Sequence, residues 1–191
     1  MEEIIDTNKI YVGLVHYPVY DRNRNIVATA VTTVDIHDIA RSAKTFDLGG
    51  VYIITPLESQ NDLVQRVIRH WIDGQGASYN PTRKTALSLV KVETSMEGAI
   101  GHISRKWRAK VKLVATGARP RPGCIEYSQL KEILSEASQP FLIVFGTGWG
   151  LTEEVIHNCD YILAPIEGSQ YNHLSVRSAA AIILDRLLGR R

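Results

Sequence analysis

The chain has 191 residues, 45% hydrophobic and 22% charged, a composition typical of one globular domain with an ample core. Its formal net charge is only +2, so any nucleic-acid site must be a local basic patch. No apolar run approaches the ~20 residues of a membrane span, and no signal peptide is evident, so we expect a cytoplasmic protein without a membrane partner. Cys124 and Cys159 lack metal-ligand spacing, so we expect free thiols and no metal.

Strand and helix patterns alternate along the chain. Short apolar runs predict strands at residues 9–16, 51–54, 111–115, 141–145 and 161–164. Helical patterns lie at residues 36–46, 63–71, 81–90, 95–110, 127–137, 151–157 and 175–188. Residues 74–80 form the loosest stretch, which we expect to be a surface loop. These repeated units predict an α/β fold, a mostly parallel sheet with helices on both faces, in one domain over residues 1–191.

Three consecutive strand ends in the C-terminal half carry small or turn-forming residues. They are residues 116–120 (TGARP), 146–150 (GTGWG) and 165–169 (PIEGS). Ligands of parallel sheets bind at the carboxyl ends of the strands, so the three ends predict a binding site. The glycine-rich stretch has neither the dinucleotide nor the P-loop spacing, and alone such a turn is more often structural. Its alternative role is close approach of the backbone to a ligand, with Trp149 covering that ligand or a subunit seam.

The last predicted helix has an unusually wide apolar face. Its members are Val176, Ala180, Ile183, Leu184 and Leu187. Such a face is typical of a buried terminal helix, or of a helix between its own sheet and a partner subunit.

Three segments resemble motifs of one family. Residues 172–181 (NHLSVRSAAA), after a strand ending in Pro165-Ile166, resemble the C-terminal motif of the SPOUT methyltransferases, and residues 145–151 (FGTGWGL) resemble the glycine-rich motif before it. Residues 35–46 are similar to the N-terminal motif of the SpoU-type branch, where an Asn lies six residues before an Arg. Here Arg41 matches that Arg and Asp35 replaces the Asn. The glycine-rich motif also departs from the SpoU pattern, since it is one residue shorter and lacks a glutamate.

The resemblance implies a fold, a reaction and a cofactor. It implies a trefoil knot in a cofactor-binding part of about residues 111–191, and a homodimer through the C-terminal helix region. The implied activity is methyl transfer from S-adenosylmethionine (SAM) to a tRNA or rRNA nucleotide, with S-adenosylhomocysteine as product. The alternative is a non-catalytic SPOUT-shaped dimer that binds a nucleoside or RNA. The implied cofactor-binding residues are Thr116, Gly117, Phe145, Gly146, Thr147, Gly148, Trp149, Gly150, Leu151, Pro165, Ile166, Asn172, His173, Leu174, Ser175 and Val176.

Catalytic residues follow from the same resemblance. Asp35 would serve as general base and Arg41 would hold an RNA phosphate or an oxyanion. The alternative makes Asp35 a helix N-cap and Arg41 a surface residue. In a regular helix, side chains six residues apart point roughly 120° away from each other. Asp35 could therefore approach Arg41 only if Asp35 lay outside the regular helix. Four arginines at strand ends are the candidate RNA contacts, namely Arg22, Arg24, Arg119 and Arg121.

Overall fold

The computed structural model describes residues 5–169 and 171–189. A short 3₁₀ turn, Thr7–Lys9, precedes the first strand. The strands are β1 (Ile10–Val15), β2 (Val19–Tyr20), β3 (Ile26–Val27), β4 (Gly50–Ile54), β5 (Val90–Glu93), β6 (Lys112–Ala115), β7 (Phe141–Gly146) and β8 (Tyr161–Ile162). The helices are α1 (Thr33–Thr45), α2 (Glu58–Ile72), α3 (Gln75–Tyr79), α4 (Pro81–Leu87), α5 (Met96–Trp107), α6 (Tyr127–Glu136), α7 (Glu153–His157) and α8 (Val176–Leu188).

Six strands form one parallel sheet in the order β5-β4-β1-β7-β6-β8. β1 lies at its centre, paired with β4 on one side and with β7 on the other, and all six of its residues are buried. A strand covered on both faces is expected to be continuously apolar, which is the pattern of residues 10–15.

Helices cover both faces of this sheet. One core cluster joins the strands to α1, α2, α4, α6 and α8, through side chains such as Ile36, Leu130 and Leu184. The second cluster joins them to α5 and α7, through Ile103 and Val155. The predicted α/β fold with helices on both faces is therefore confirmed.

Three parts of the sequence-based prediction were wrong in detail. β2 and β3 form an antiparallel hairpin that was not predicted, because two-residue strands are too short to show periodicity. β5 was not predicted, and its first residue, Val90, was assigned to the helix predicted at 81–90, which ends at Leu87. Residues 74–80 contain the short helix α3 rather than only a loop.

The chain between β6 and α6 encloses the exit of β8. β8 pairs with β6 on one side, and on its other side Ile125 N–H donates to the carbonyl of Ile162 and Ala164 N–H donates to that of Ile125. Residues 116–124 therefore pass across the point where the chain leaves β8, an arrangement that the predicted knot would need. The knot itself stays a prediction.

In the described part of the chain, no helix is both long and apolar enough to cross a lipid bilayer.

Candidate functional site

The three predicted loops meet at one edge of the sheet. β7, β6 and β8 are neighbours, so the segments that follow them emerge side by side. Asn172 Nδ2 donates to the carbonyl of Ala118 at 3.0 Å, which ties the segment before α8 to the loop after β6. Residues far apart in sequence thus form one surface, as expected for the carboxyl edge of a parallel sheet.

The glycine-rich loop is held by the hairpin of β2 and β3. Tyr20 N–H donates to the carbonyl of Gly150, and Trp149 N–H donates to the carbonyl of Tyr20, both at 2.9 Å. A Cβ on Gly148 would lie 2.9 Å from that Tyr20 carbonyl, and its φ of +58° is itself a glycine conformation. The backbone that closely approaches Gly148 therefore belongs to this chain, and the predicted contact of Gly148 with the cofactor stays a prediction.

Other residues of this motif also have structural roles. Phe145 and Leu151 are buried in the core, and a Cβ on Gly146 would meet the backbone of the turn, 2.5 Å from Leu151 N. Thr147 donates through Oγ1 to the carbonyl of Val15 at 3.0 Å, which joins the loop to the end of β1.

Two glycines leave open space beside the loops. A Cβ built on Gly117 or on Gly150 meets no atom within 4 Å. Trp149, 55% exposed, and the exposed Leu174 offer apolar surface at the same edge. Open backbone beside apolar side chains fits a nucleoside, so this edge can accommodate the cofactor that the motifs imply.

The remaining predicted cofactor residues belong to the same three loops or to the start of α8. Thr116 is buried and donates through Oγ1 to the carbonyl of Val144. Ser175 caps α8 by accepting from Ser178 N–H, and Val176 begins that helix. The other members are half-buried Pro165 and Ile166, and exposed His173, whose ring meets Tyr171 edge-on.

Asp35 and Arg41 do not form the predicted pair. Thr32 is the N-cap of α1, and Asp35 lies within the first turn, so it is neither the cap nor outside the helix. Its carboxylate accepts from Thr32 Oγ1 and forms an ion pair with Arg177 of α8, Nη1 to Oδ1 3.1 Å. Arg177 also approaches Asp38 at 3.4 Å, whereas Arg41 is exposed nearly two turns further along α1. The partner of Asp35 is therefore Arg177.

A buried histidine at the end of β1 was missed as a site residue. Thr147 Oγ1 uses its single hydrogen to donate to the Val15 carbonyl. In the 2.5 Å bond between Thr29 Oγ1 and Thr147 Oγ1, Thr29 must therefore be the donor. The hydroxyl of Thr29 then accepts from His16 Nδ1 at 2.9 Å. This chain of bonds assigns the proton of His16 to Nδ1 and leaves Nε2 as a bare acceptor.

His16 is neutral at ordinary pH. Its side chain is 1% exposed, and Nε2 has no hydrogen-bond partner in the described residues. Burial lowers the pKa of His16 to about 4, against smaller opposing effects of the Asp35 carboxylate and of the Thr29 backbone. In the sequence, His16 is the last residue of the apolar strand predicted at 9–16, and only this position could have drawn attention to it.

Two of the four predicted RNA-binding arginines converge on one carboxylate. Glu153 pairs with Arg121 through two hydrogen bonds, of 2.6 and 2.9 Å, and with Arg24 at 3.3 Å. The hydrogen bonds from Arg121 hold the pKa of Glu153 down at about 2. Arg22 and Arg119 are exposed. Arg24 and Arg121 thus lie together at the carboxyl edge, partly neutralised.

The described residues contain no group of three or more His, Cys, Asp or Glu side chains that could hold a metal ion.

Comparison with known sequences identifies a family. Residues 9–189 match the model of a family described as SAM-dependent RNA methyltransferase. The chain is 47% identical, over 181 residues, to a protein of Oleidesulfovibrio alaskensis named tRNA (guanine-N(1)-)-methyltransferase. That match covers 94% of this chain but 42% of the relative, so the chain spans less than half of its length. An uncharacterized protein of Aquifex aeolicus is 39% identical, with 98% of this chain and 92% of the relative covered.

Known structures share the fold. The SpoU methyltransferase AviRb of Streptomyces viridochromogenes, in complex with the cofactor AdoMet, aligns with a TM-score of 0.56 at 19% identity, covering 97% of this chain and 58% of AviRb. The TrmH/SpoU tRNA modifying enzyme of A. aeolicus aligns with a TM-score of 0.55 at 15% identity, covering 95% and 74%. At these identities the likeness establishes the fold alone.

Proposed function

Because the chain belongs to the family of SAM-dependent RNA methyltransferases, we propose that it transfers a methyl group from SAM to an RNA nucleotide at the carboxyl edge of its sheet. The observation that carries this proposal is the open space beside Gly117 and Gly150, where three loops meet in a chain of this family. We further propose that residues 1–191 form a single methyltransferase domain, with its cofactor-binding part at about residues 111–191.

The loops would hold SAM largely by backbone groups. Gly117 and Gly150 permit close approach, while Trp149 and Leu174 supply apolar cover, and Asn172 keeps two of the loops together. SAM supplies a methyl group on a positively charged sulfur, which is an activated leaving group. The protein then has to orient the RNA nucleophile and accept its proton.

Asp35 is our candidate for the proton acceptor. Its ion pair with Arg177 positions the carboxylate at the start of α1, and Arg177 belongs to the helix that follows the last cofactor loop. One interaction thus joins the candidate base to the cofactor-binding segment. In this proposal Arg177, rather than Arg41, is the arginine that acts with Asp35.

We propose tRNA as the substrate class. The relatives from O. alaskensis and from Nitratidesulfovibrio vulgaris both carry the name tRNA (guanine-N(1)-)-methyltransferase, and this chain covers 42% of each. A name given to a protein more than twice as long can refer to its other part, so the methylated atom has to be identified directly. Such a role would place the protein in the cytoplasm.

A homodimer is proposed from the distribution of exposed apolar side chains. Among the described residues six of the eight large apolar side chains with high exposure follow the carboxyl ends of strands or begin α1, namely Tyr17, Val34, Leu57, Trp149, Tyr171 and Leu174. A clustered apolar surface of this kind is typical of a subunit interface. The wide face of α8 is itself largely covered by α1 and α6 of the same chain. The interface would therefore involve the start of α8 and its preceding segment.

Three measurements test the proposal. Calorimetry should detect SAM binding of micromolar order, light scattering should give about twice the 21.3 kDa chain mass, and labelled SAM should transfer its methyl group to tRNA. Mass spectrometry of the nucleosides then identifies the methylated atom. SAM or RNA binding without transfer to any cellular RNA would favour the non-catalytic alternative, and a clean monomer would remove the interface.

A further inference from the structure

A second concave surface lies between α1 and α4, outside the three cofactor loops. It is a cleft of about 290 Å³ lined by Arg41, Lys44 and Thr45 of α1, and by Asn80, Thr82, Arg83 and Ala86 at or in α4. The spacing of the α1 residues places them on one helix face. Nearly two turns of α1, about 9 Å, separate Arg41 from Asp35. This α1–α4 cleft therefore brings Arg41 of α1 together with Arg83 of α4, which is remote in sequence.

Two arginines give the α1–α4 cleft its charge. Within the described residues, neither Arg41 nor Arg83 has a carboxylate at ion-pair distance, whereas Lys44 is paired with Asp47 at 2.6 Å. Arg83 lies over the ring of Trp71, 4.5 Å from its centroid, which fixes the guanidinium in place. Both guanidinium groups thus keep their hydrogen-bond donors available for an anion.

The surroundings of His37 confirm the sign of the local field. Burial lowers the pKa of this neighbouring histidine most, and Arg83 lowers it further. Arg41 and His70 act in the same direction, while only Asp38 opposes them. At His37 the two arginines thus act against the single carboxylate of Asp38, which is consistent with an anion site in the neighbouring cleft.

Hydrogen bonding at Asn80 adds a neutral donor. Its Oδ1 accepts from Thr82 Oγ1 at 2.8 Å and from Arg83 N–H at 3.0 Å. The carbonyl end of the amide is thus occupied at the start of α4, and Nδ2 is left as a donor. Two guanidinium groups with an amide donor match the oxygens of a phosphate group.

An aromatic cleft continues this surface. It has a volume of about 510 Å³ and is lined by His70, Trp71, Gln75, Gly76, Ser78 and Tyr79. Trp71 is the residue on which Arg83 lies, and Tyr79 is 87% exposed next to Asn80. Cations beside an exposed aromatic ring are the arrangement that proteins use for single-stranded RNA, whose backbone meets the cations while a base stacks on the ring.

We propose that the α1–α4 cleft binds the phosphodiester backbone of RNA and that Tyr79 stacks with an unpaired base. This inference rests on the proposed function in taking RNA as the partner. A second copy of the chain would fit poorly with this cleft on a two-fold axis, because that contact would bring the same cations against each other. Arg41 then acts in RNA binding, distant from the reacting atoms.

Binding to unfractionated tRNA tests the proposal. The slope of log K against log salt concentration is negative, and the double variant Arg41→Gln/Arg83→Gln should reduce its magnitude by about 1.4 to 1.8, since two phosphate contacts are lost. That slope corresponds to about 25- to 60-fold weaker binding at 0.1 M salt. Tyr79→Ala should weaken binding by about fivefold or more without changing the slope. The lysine variant Arg41→Lys/Arg83→Lys should keep most of the slope.

The matched control removes two exposed cations from the opposite face of the sheet. Arg105→Gln/Lys110→Gln alters α5 and the turn after it, and should leave both affinity and slope near wild type. SAM affinity, measured on every variant, reports whether the fold and the cofactor loops are intact.

The outcomes of these measurements distinguish RNA binding at the α1–α4 cleft from the proposed methyltransferase reaction. An unchanged slope in Arg41→Gln/Arg83→Gln, an equal loss in the control, or no tRNA binding by wild type overturns the cleft. If the slope falls as expected while wild type methylates no RNA, the cleft stands and the proposed reaction fails. If wild type methylates RNA while the slope of the double variant is unchanged, the reaction stands and the cleft is overturned.

Discussion

Buried His16 makes the stability of the protein depend on pH in a calculable way. The pKa of this group is about 4 in the folded state, whereas an unperturbed histidine has a pKa of 6.5. Between these values the unfolded chain binds a proton that the folded protein does not, so stability falls as pH decreases from 6.5 towards 4. At pH 5 the unfolded side chain is almost fully protonated, which costs the folded state about 2 kcal/mol relative to pH 7.

His16→Asn isolates this contribution. An asparagine amide lies close to the position of Nδ1, so it can still donate to Thr29, but it does not titrate. Urea unfolding at pH 7, 6 and 5 should therefore show wild type losing about 2 kcal/mol more than the variant over that range. The effect of His37, whose pKa is also lowered by burial, is present in both proteins and cancels.

The test depends on how the free energy of unfolding changes with pH, not on its absolute value. His16→Asn removes ring atoms from the core and is expected to be less stable at every pH. Exposed His157→Asn provides a control that should follow wild type. Parallel lines for wild type and His16→Asn between pH 7 and 5 would refute the neutral, buried histidine.

Two further predictions concern the glycine-rich loop and the ion pair of α1. Gly148→Ala should destabilise the fold by about 1–3 kcal/mol in urea unfolding, because Gly148 has a positive φ and the new Cβ would meet the Tyr20 carbonyl. Gly117→Ala has open space for its Cβ, so it should keep the stability of the fold but weaken SAM binding in calorimetry. Equal stability of the two glycine variants would contradict this contrast. Arg177→Ala should lower stability by about 1–2 kcal/mol, since it leaves the buried Asp35 carboxylate with the Thr32 hydroxyl but without its ion pair, and Asp35→Asn in the same chain should restore part of the loss. No rescue by the second substitution would count against the pair.

Local patterns were sufficient for most of the sheet. The runs that became β1, β4 and β7 are apolar at every position because helices cover both faces, and that pattern can be recognised without a structure. β5 could not be recognised in this way. It is the edge strand beside β4, and its second residue, Lys91, is exposed, so its pattern is not continuously apolar.

The sequence predicted the candidate site only where all the residues concerned lie in one short segment. The glycines of residues 146–150 indicate close backbone approach, but the approaching Tyr20 lies about 130 residues away in the chain. Asp35 and Arg41 were predicted to act together from the motif resemblance, which required Asp35 to lie outside the helix. Thr32 caps α1, so Asp35 lies inside the first turn and the two side chains diverge. The observed partner, Arg177, is 142 positions from Asp35, and such pairings follow from packing of the whole domain.

The central position of β1 has a consequence for synthesis of the protein. On the ribosome, β1, β4 and β5 can pair as soon as residue 93 has emerged, but the other edge of β1 waits for β7, since Ile10 pairs with Phe141. Until then the nascent chain carries a six-residue apolar strand with an unpaired edge, which is a template for wrong pairing with other chains. A chain truncated before residue 141 is therefore expected to aggregate rather than to fold as a smaller unit. The last third of the sequence closes the sheet that the first residues begin.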